Sequence, residues 1–228
     1  MPTSLLILTV LFVIAVVIFH VCAIRKQLVS TLISKCIASA FFIAIGAINL
    51  MANTTNPLAL HLFLGLCFGF IGDAILAARK FKAQYKYHCI GAGMVSFGIG
   101  HIFYLIALMA NLSNAWISIA IGAAIGAVMI FIAPRLNLSY GKLKPFIFFY
   151  ASLLSTMGAA TALRCYHAPT CLNIGLCAAG LLFMLSDALL SGIYFDKNQS
   201  KSTPAYIIGV HVTYYLAQYL IALSIAGF

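Results

Sequence analysis

Acidic side chains are almost missing from this chain: there are three among 228 residues, against 13 lysines and arginines. Charged residues make up 7% of the sequence and hydrophobic ones 64%. A soluble domain carries roughly 25% charged residues, so that class is excluded. Familiar catalytic motifs are missing too: no G-x-S-x-G elbow, no H-E-x-x-H pair and no Walker loop. The seven cysteines include no C-x-x-C, which argues against a thiolate metal site. Strict period-2 alternation is also absent. Of the two structures that satisfy their backbone inside lipid, helices therefore remain and a barrel does not.

What the chain does have is long apolar runs, each of a length that crosses a bilayer as a helix. The reading is an all-α integral membrane protein, one domain over 1–228, with eight transmembrane helices. They fall at about 4–22, 33–52, 58–78, 90–110, 115–133, 145–163, 171–194 and 205–227. The first run has no basic segment before it and is followed at once by Arg25 and Lys26. That is the reverse of a secretory signal, so it reads as a retained helix. Trp116 at the start of span 5 reads as an interfacial anchor.

Charge sets the expected topology. Every Lys and Arg except Arg164 is assigned to the loops after spans 1, 3, 5 and 7, Lys35 included. The positive-inside rule then places both termini outside the cytoplasm; the membrane itself is read as a bacterial inner membrane. No basic and aromatic patch stands clear of the membrane edge. The positive charge thus points to the lipid bilayer as partner and not to nucleic acid. Cys165 and Cys171 bracket the outer loop between spans 6 and 7, where an oxidising compartment would allow a disulfide clasping two helix ends.

Two of the three acids lie inside spans: Asp73 in Gly-Phe-Ile-Gly-Asp-Ala-Ile-Leu-Ala and Asp187 in Phe-Met-Leu-Ser-Asp-Ala-Leu-Leu-Ser. A carboxylate there costs roughly 2.5–3.5 kcal/mol on insertion scales, which marks both as functional candidates. Their surroundings match. His101-Ile-Phe-Tyr104 follows the first, and His211-Val-Thr-Tyr214 follows the second. Four helices separate the copies, which predicts a 4+4 parallel repeat with halves 1–112 and 113–228 and a site where the halves meet. Helical rise puts Asp73 roughly 8 Å and Asp187 roughly 10 Å inside the cytoplasmic ends of their spans. Gly65, Gly69 and Gly72 beside Asp73 predict close helix packing, as do Gly91, Gly93, Gly98 and Gly100 in span 4 and Gly122 and Gly126 in span 5. Asn49, His61 and His20 read as interfacial or packed residues.

Two neighbouring carboxyl groups in an apolar wall do not readily both ionise, so one serves as acid and the other as base. His101 and His211 are candidate proton partners, with Tyr104, Tyr214, Tyr215 and Gln218 as hydrogen-bonding groups; 211, 215 and 218 share a helix face. Two Asp and two His are also a donor set for zinc, although the preferred reading carries neither metal nor cofactor.

Several motifs together resemble the YhhN-type lysoplasmalogenases: Gly72-Asp73-Ala-Ile-Leu76 in span 3, Gly98-Ile-Gly-His101-Ile-Phe-Tyr104 in span 4 and Ser186-Asp187-Ala-Leu-Leu190 in span 7. Tyr150 and Met157 in span 6 and Tyr215-Leu-Ala-Gln218-Tyr-Leu-Ile221 in span 8 extend the resemblance. One departure is Lys35-Cys36, where the family often has Lys-Pro; it is read as touching no site residue. The resemblance implies hydrolysis of the vinyl ether of a single-chain ether phospholipid, releasing a fatty aldehyde and glycerophosphoethanolamine or glycerophosphocholine. Asp73 and Asp187 would be acid and base in either order. The rival readings are a proton-coupled transporter of a lipid or small solute and a metal-dependent lipid hydrolase.

Overall fold

The computed structural model describes residues 3–228, with Ala83 as backbone only. Eight helices in it are long and apolar enough to cross a membrane. They are α1 (Thr3–Ile24), α2 (Leu28–Ala52), α3 (Pro57–Ala78), α4 (Lys86–Met109), α5 (Trp116–Ile132), α6 (Lys144–His167), α7 (Cys171–Phe195) and α8 (Pro204–Ser224). Short 3-10 turns fill several connections. No strand occurs among the described residues, only one isolated bridge between Leu138 and Asp196. The all-α multi-pass reading therefore holds.

Local chemistry starts these helices. The Asn56 side chain accepts a hydrogen bond from the Leu58 N–H at 2.9 Å, and Pro57 takes the first helical position, where its missing N–H costs nothing. Thr170 caps α7 the same way, accepting from the Asn173 N–H at 3.2 Å. The largest departure from the expected boundaries is at α2, which begins at Leu28 and not near 33. Its polar first turns absorb their own hydroxyls: Ser34 Oγ donates to the Ser30 carbonyl at 2.6 Å. The helix therefore runs through Lys35. That corrects its assignment to a cytoplasmic loop, because Lys35 is buried inside the span.

The chain forms two compact units. The first is Met1–Ala107 with Ile221–Phe228, and the second is Leu108–Leu220. In the first, Phe42, Ile45, Leu62 and Leu66 are fully buried. Gly65 leaves room for the Tyr104 ring, and Gly72 for the Phe97 ring; a Cβ at either would overlap those atoms. Three asparagines bind the end of the chain. Asn49 and Asn53 each donate through Nδ2 at 2.9 Å, to the carbonyls of Ala222 and Ile225, and Asn56 donates to that of Phe228. The final turn of a helix has carbonyls without intrahelical donors, and these side chains supply them.

In the second unit Ser118, Gly122 and Gly126 recur every four residues on α5 and are buried. A Cβ on Gly122 would meet the Thr156 backbone N at 2.6 Å and the Ser152 backbone O at 2.7 Å. This is backbone-to-backbone contact of the kind small residues permit in membranes. Gly158 and Gly180 do the same for α6 against α7. Gly91 differs: nothing lies within 4 Å of its ideal Cβ, so it is no packing contact. Arg164 lies in the last turn of α6 and donates to the carbonyls of Leu108 and Ala110 at 3.2 and 3.4 Å. The third acid, Asp196, organises the loop after α7. Its carboxylate accepts from the Ser200 hydroxyl and N–H at 2.8 Å each. The Ser200 hydroxyl foremost, with the N–H groups of Asn198, Ser200 and Lys201, holds its pKa below the ordinary value.

The glycine contacts make two opposite expectations. Gly122→Ala drives a methyl into α6 backbone and lowers the stability of the detergent-solubilised protein by about 1–3 kcal/mol. Gly91→Ala meets open space and raises stability by up to about 1 kcal/mol through helix propensity. Melting temperatures of the two variants, measured side by side, check both signs.

Candidate functional site

Asp73 sits in the penultimate turn of α3 and is buried. Two side chains from α2 hold it. Lys35 Nζ lies 3.0 Å from Oδ1, with the paired side chains 8% and 2% exposed. Ser39 Oγ donates to Oδ2 at 2.6 Å. Lys35 and Ser39 are one helical turn apart, so one face of α2 presents both donors. Each carboxyl oxygen thus accepts a bond from α2.

Asp187 lies on α7 and is half-buried. Tyr150 of α6 donates its hydroxyl to Asp187 Oδ2 at 2.5 Å. Tyr150 precedes its aspartate by 37 residues and Ser39 precedes Asp73 by 34, with Lys35 one turn further back. In each unit, then, the helix before the aspartate helix supplies a donor at closely matching register.

The other predicted residues fall as follows. In the first unit His101 is fully enclosed on α4, its ring 6.1 Å from that of Tyr104. In the second, Tyr214, Tyr215 and Gln218 are buried on α8. Gln218 Nε2 donates to Tyr214 Oη at 3.1 Å, and Tyr214 packs edge-on against Phe183 at 5.5 Å. His211, half-buried, has Nδ1 at 2.7 Å from the Ile207 carbonyl of its own helix. Cys165 and Cys171 are free thiols, and Cys165 faces Cys177 on α7. Among the described residues no three His, Cys or Asp side chains gather as a metal set.

Lys35 is the site residue that sequence reasoning missed, and the reading that the Lys35-Cys36 departure touches no site residue is corrected by its contact with Asp73. The signal was available. A lone acid inside an apolar helix calls for a partner, and Lys35 is a cation near a helix end that the same bundle could bury.

The model of the YhhN family matches residues 28–225, nearly the whole chain. No curated protein and no solved structure matches.

The Lys35–Asp73 pair makes a prediction independent of any activity. Lys35→Met leaves a buried carboxylate without its cation and destabilises the protein by about 3–5 kcal/mol. Adding Asp73→Asn recovers most of that loss. Chemical or thermal unfolding of the two single variants and the double variant measures the coupling.

Proposed function

Starting from the fact that the chain belongs to the YhhN family, we propose that it is a lysoplasmalogenase: a membrane hydrolase that cleaves the vinyl ether of single-chain ether phospholipids. The observation that carries the reading is the pair of intramembrane aspartates, each held by a donor from the preceding helix of its own unit. A membrane chain with three acids does not place two of them inside spans in this way for packing alone.

The roles follow from the donors. Asp73, with Lys35 and Ser39 on its two oxygens, is the carboxylate and acts as base. Asp187 is the acid. It gives its proton to the alkenyl carbon that is β to the ether oxygen, and the double-bond electrons form that C–H bond. The adjacent carbon becomes an oxocarbenium centre. Tyr150 Oη then donates to the carboxylate that Asp187 has become, stabilising it. Asp73 takes a proton from water as the water oxygen bonds to the oxocarbenium carbon, giving a hemiacetal. Collapse breaks the carbon–glycerol oxygen bond. The glycerol oxygen takes the proton from Asp73, and the hemiacetal hydroxyl returns one to Asp187. One water is consumed, one aldehyde and one glycerophospho-alcohol leave, and both carboxyl groups are reset. No cofactor is required. The reading carries with it the parallel repeat, the cytoplasmic facing of the basic loops and a bacterial inner membrane.

Purified protein given lysoplasmalogen in D2O is expected to release aldehyde carrying one deuterium on the carbon next to the carbonyl. Asp73→Asn and Asp187→Asn each reduce turnover per folded molecule by about 10²-fold or more, and Tyr150→Phe by a smaller factor. Intact substrate after incubation with folded wild-type protein sinks the enzyme reading and leaves the proton-coupled carrier, which a reconstituted flux assay measures.

A further inference from the structure

A groove of about 760 Å³ runs between the joined ends of α5 and α6 in the second unit. Sites for small ligands hold roughly 300–1,000 Å³. Ile130 and Phe131 of α5, with Pro134 just beyond it, form one wall, and Phe148 and Phe149 of α6 form the other. Phe131 and Phe149 are each 69% exposed, so the groove opens outward from the bundle. Tyr150, the next residue of α6, reaches Asp187 on α7 instead. Successive residues of a helix diverge by about 100°, so groove and aspartate lie on different faces of α6.

Two cations stand at the outer end of the groove. Lys144, the first residue of α6, lines it directly. Arg135 lies in the turn after α5, its guanidinium carbon 5.0 Å from the ring centre of Phe131. Both are exposed, and neither forms an ion pair among the described residues. No acid lines the groove. The unit has two acids, and each has its donors elsewhere: Tyr150 for Asp187, and the loop after α7 for Asp196. An apolar slot with two cations where two spans end matches the polarity of a phospholipid, with its chain inside and its phosphate at the surface. Ala127 also lines the slot, about 10 Å of helix in from Pro134. That depth takes the upper part of one acyl chain.

We propose that this groove binds an anionic phospholipid of the leaflet that meets the α5–α6 connection. One acyl chain lies between Phe131 and Phe149, and the phosphate accepts from Lys144 and Arg135. A headgroup of net negative charge is selected, because a zwitterionic one brings its own cation to a mouth that already has two. The site is separate from the proposed catalytic carboxyl groups and does not depend on the vinyl ether reading.

The test titrates full-length protein in detergent with phosphatidylglycerol and with phosphatidylcholine of the same chains, and counts bound lipid by native mass spectrometry. Wild-type protein binds phosphatidylglycerol about tenfold or more tighter, the preference expected of two cations near the surface. Arg135→Gln with Lys144→Gln brings that ratio close to one. Arg25→Gln with Lys26→Gln removes the same charge from another exposed turn and retains it. Ala127→Trp fills the groove, keeps both cations and weakens phosphatidylglycerol binding. A wild-type ratio near one, or equal loss in the two double variants, overturns the site in favour of diffuse charge around the rim. Phosphatidylglycerol binding that ignores Ala127→Trp overturns the role of the groove. Inorganic phosphate that binds as tightly, with the same dependence on Arg135 and Lys144, overturns the assignment to lipid.

Discussion

A charge inside a dry helix bundle must be answered, and the pairing of Asp73 with Lys35 is the answer on which the first unit is built. An isolated carboxylate or ammonium at that depth would cost several kcal/mol. Placing the two 3.0 Å apart, with Ser39 on the second oxygen, offsets much of that cost. The pairing also dictates backbone. α2 must remain helical back to Leu28 so that Lys35 faces α3, and its hydroxyls close onto their own carbonyls to let it. The acid thus shapes the helix that serves it.

Close helix approach makes such pairings possible. Hydrocarbon tails give no hydrophobic force between helices, so packing and hydrogen bonds decide. Glycines at the contacts of α3 with α4, α5 with α6, and α6 with α7 bring backbones near enough for short polar side chains to reach across. Where a helix end leaves carbonyls bare, long polar side chains fill in: Asn49, Asn53 and Asn56 for the C-terminal end, Arg164 for the end of α4.

The helices and both aspartates were legible because apolar length and a misplaced acid are strong local signals. Lys35 was not. Counting positive charges treats any lysine near a span end as loop, and the Ser and Thr around it lowered the apolar signal enough to hide the first turns of α2. Tyr150 was reached through resemblance alone, since a tyrosine among phenylalanines on α6 carries no pattern of its own. Small-residue spacing identified the packing face of α5 correctly but failed at Gly91, which meets nothing. Spacing reports that a backbone can be approached, and only tertiary structure says whether it is. The partners of His101 and Gln218 were likewise unreadable, because helical periodicity gives a face and not the atom opposite it.

Lys35 creates a difficulty for the proposed chemistry that helps to define it. Vinyl ether hydrolysis passes through a cation, and a buried ammonium beside that cation is unfavourable. Asp73 neutralises Lys35 locally, so in the proposed reaction the oxocarbenium would meet a pair of zero net charge and not a bare lysine. A neutral pair stabilises little by itself. The attraction has to come from a carboxylate that appears as the cation appears, and an acid that has just given up its proton is one. Asp187 in that role would become anionic in the step that makes the substrate cationic, with the Tyr150 hydroxyl already aimed at it. In the proposed reaction the group that answers the cation would therefore be Asp187, and the Asp73–Lys35 pair would be the base.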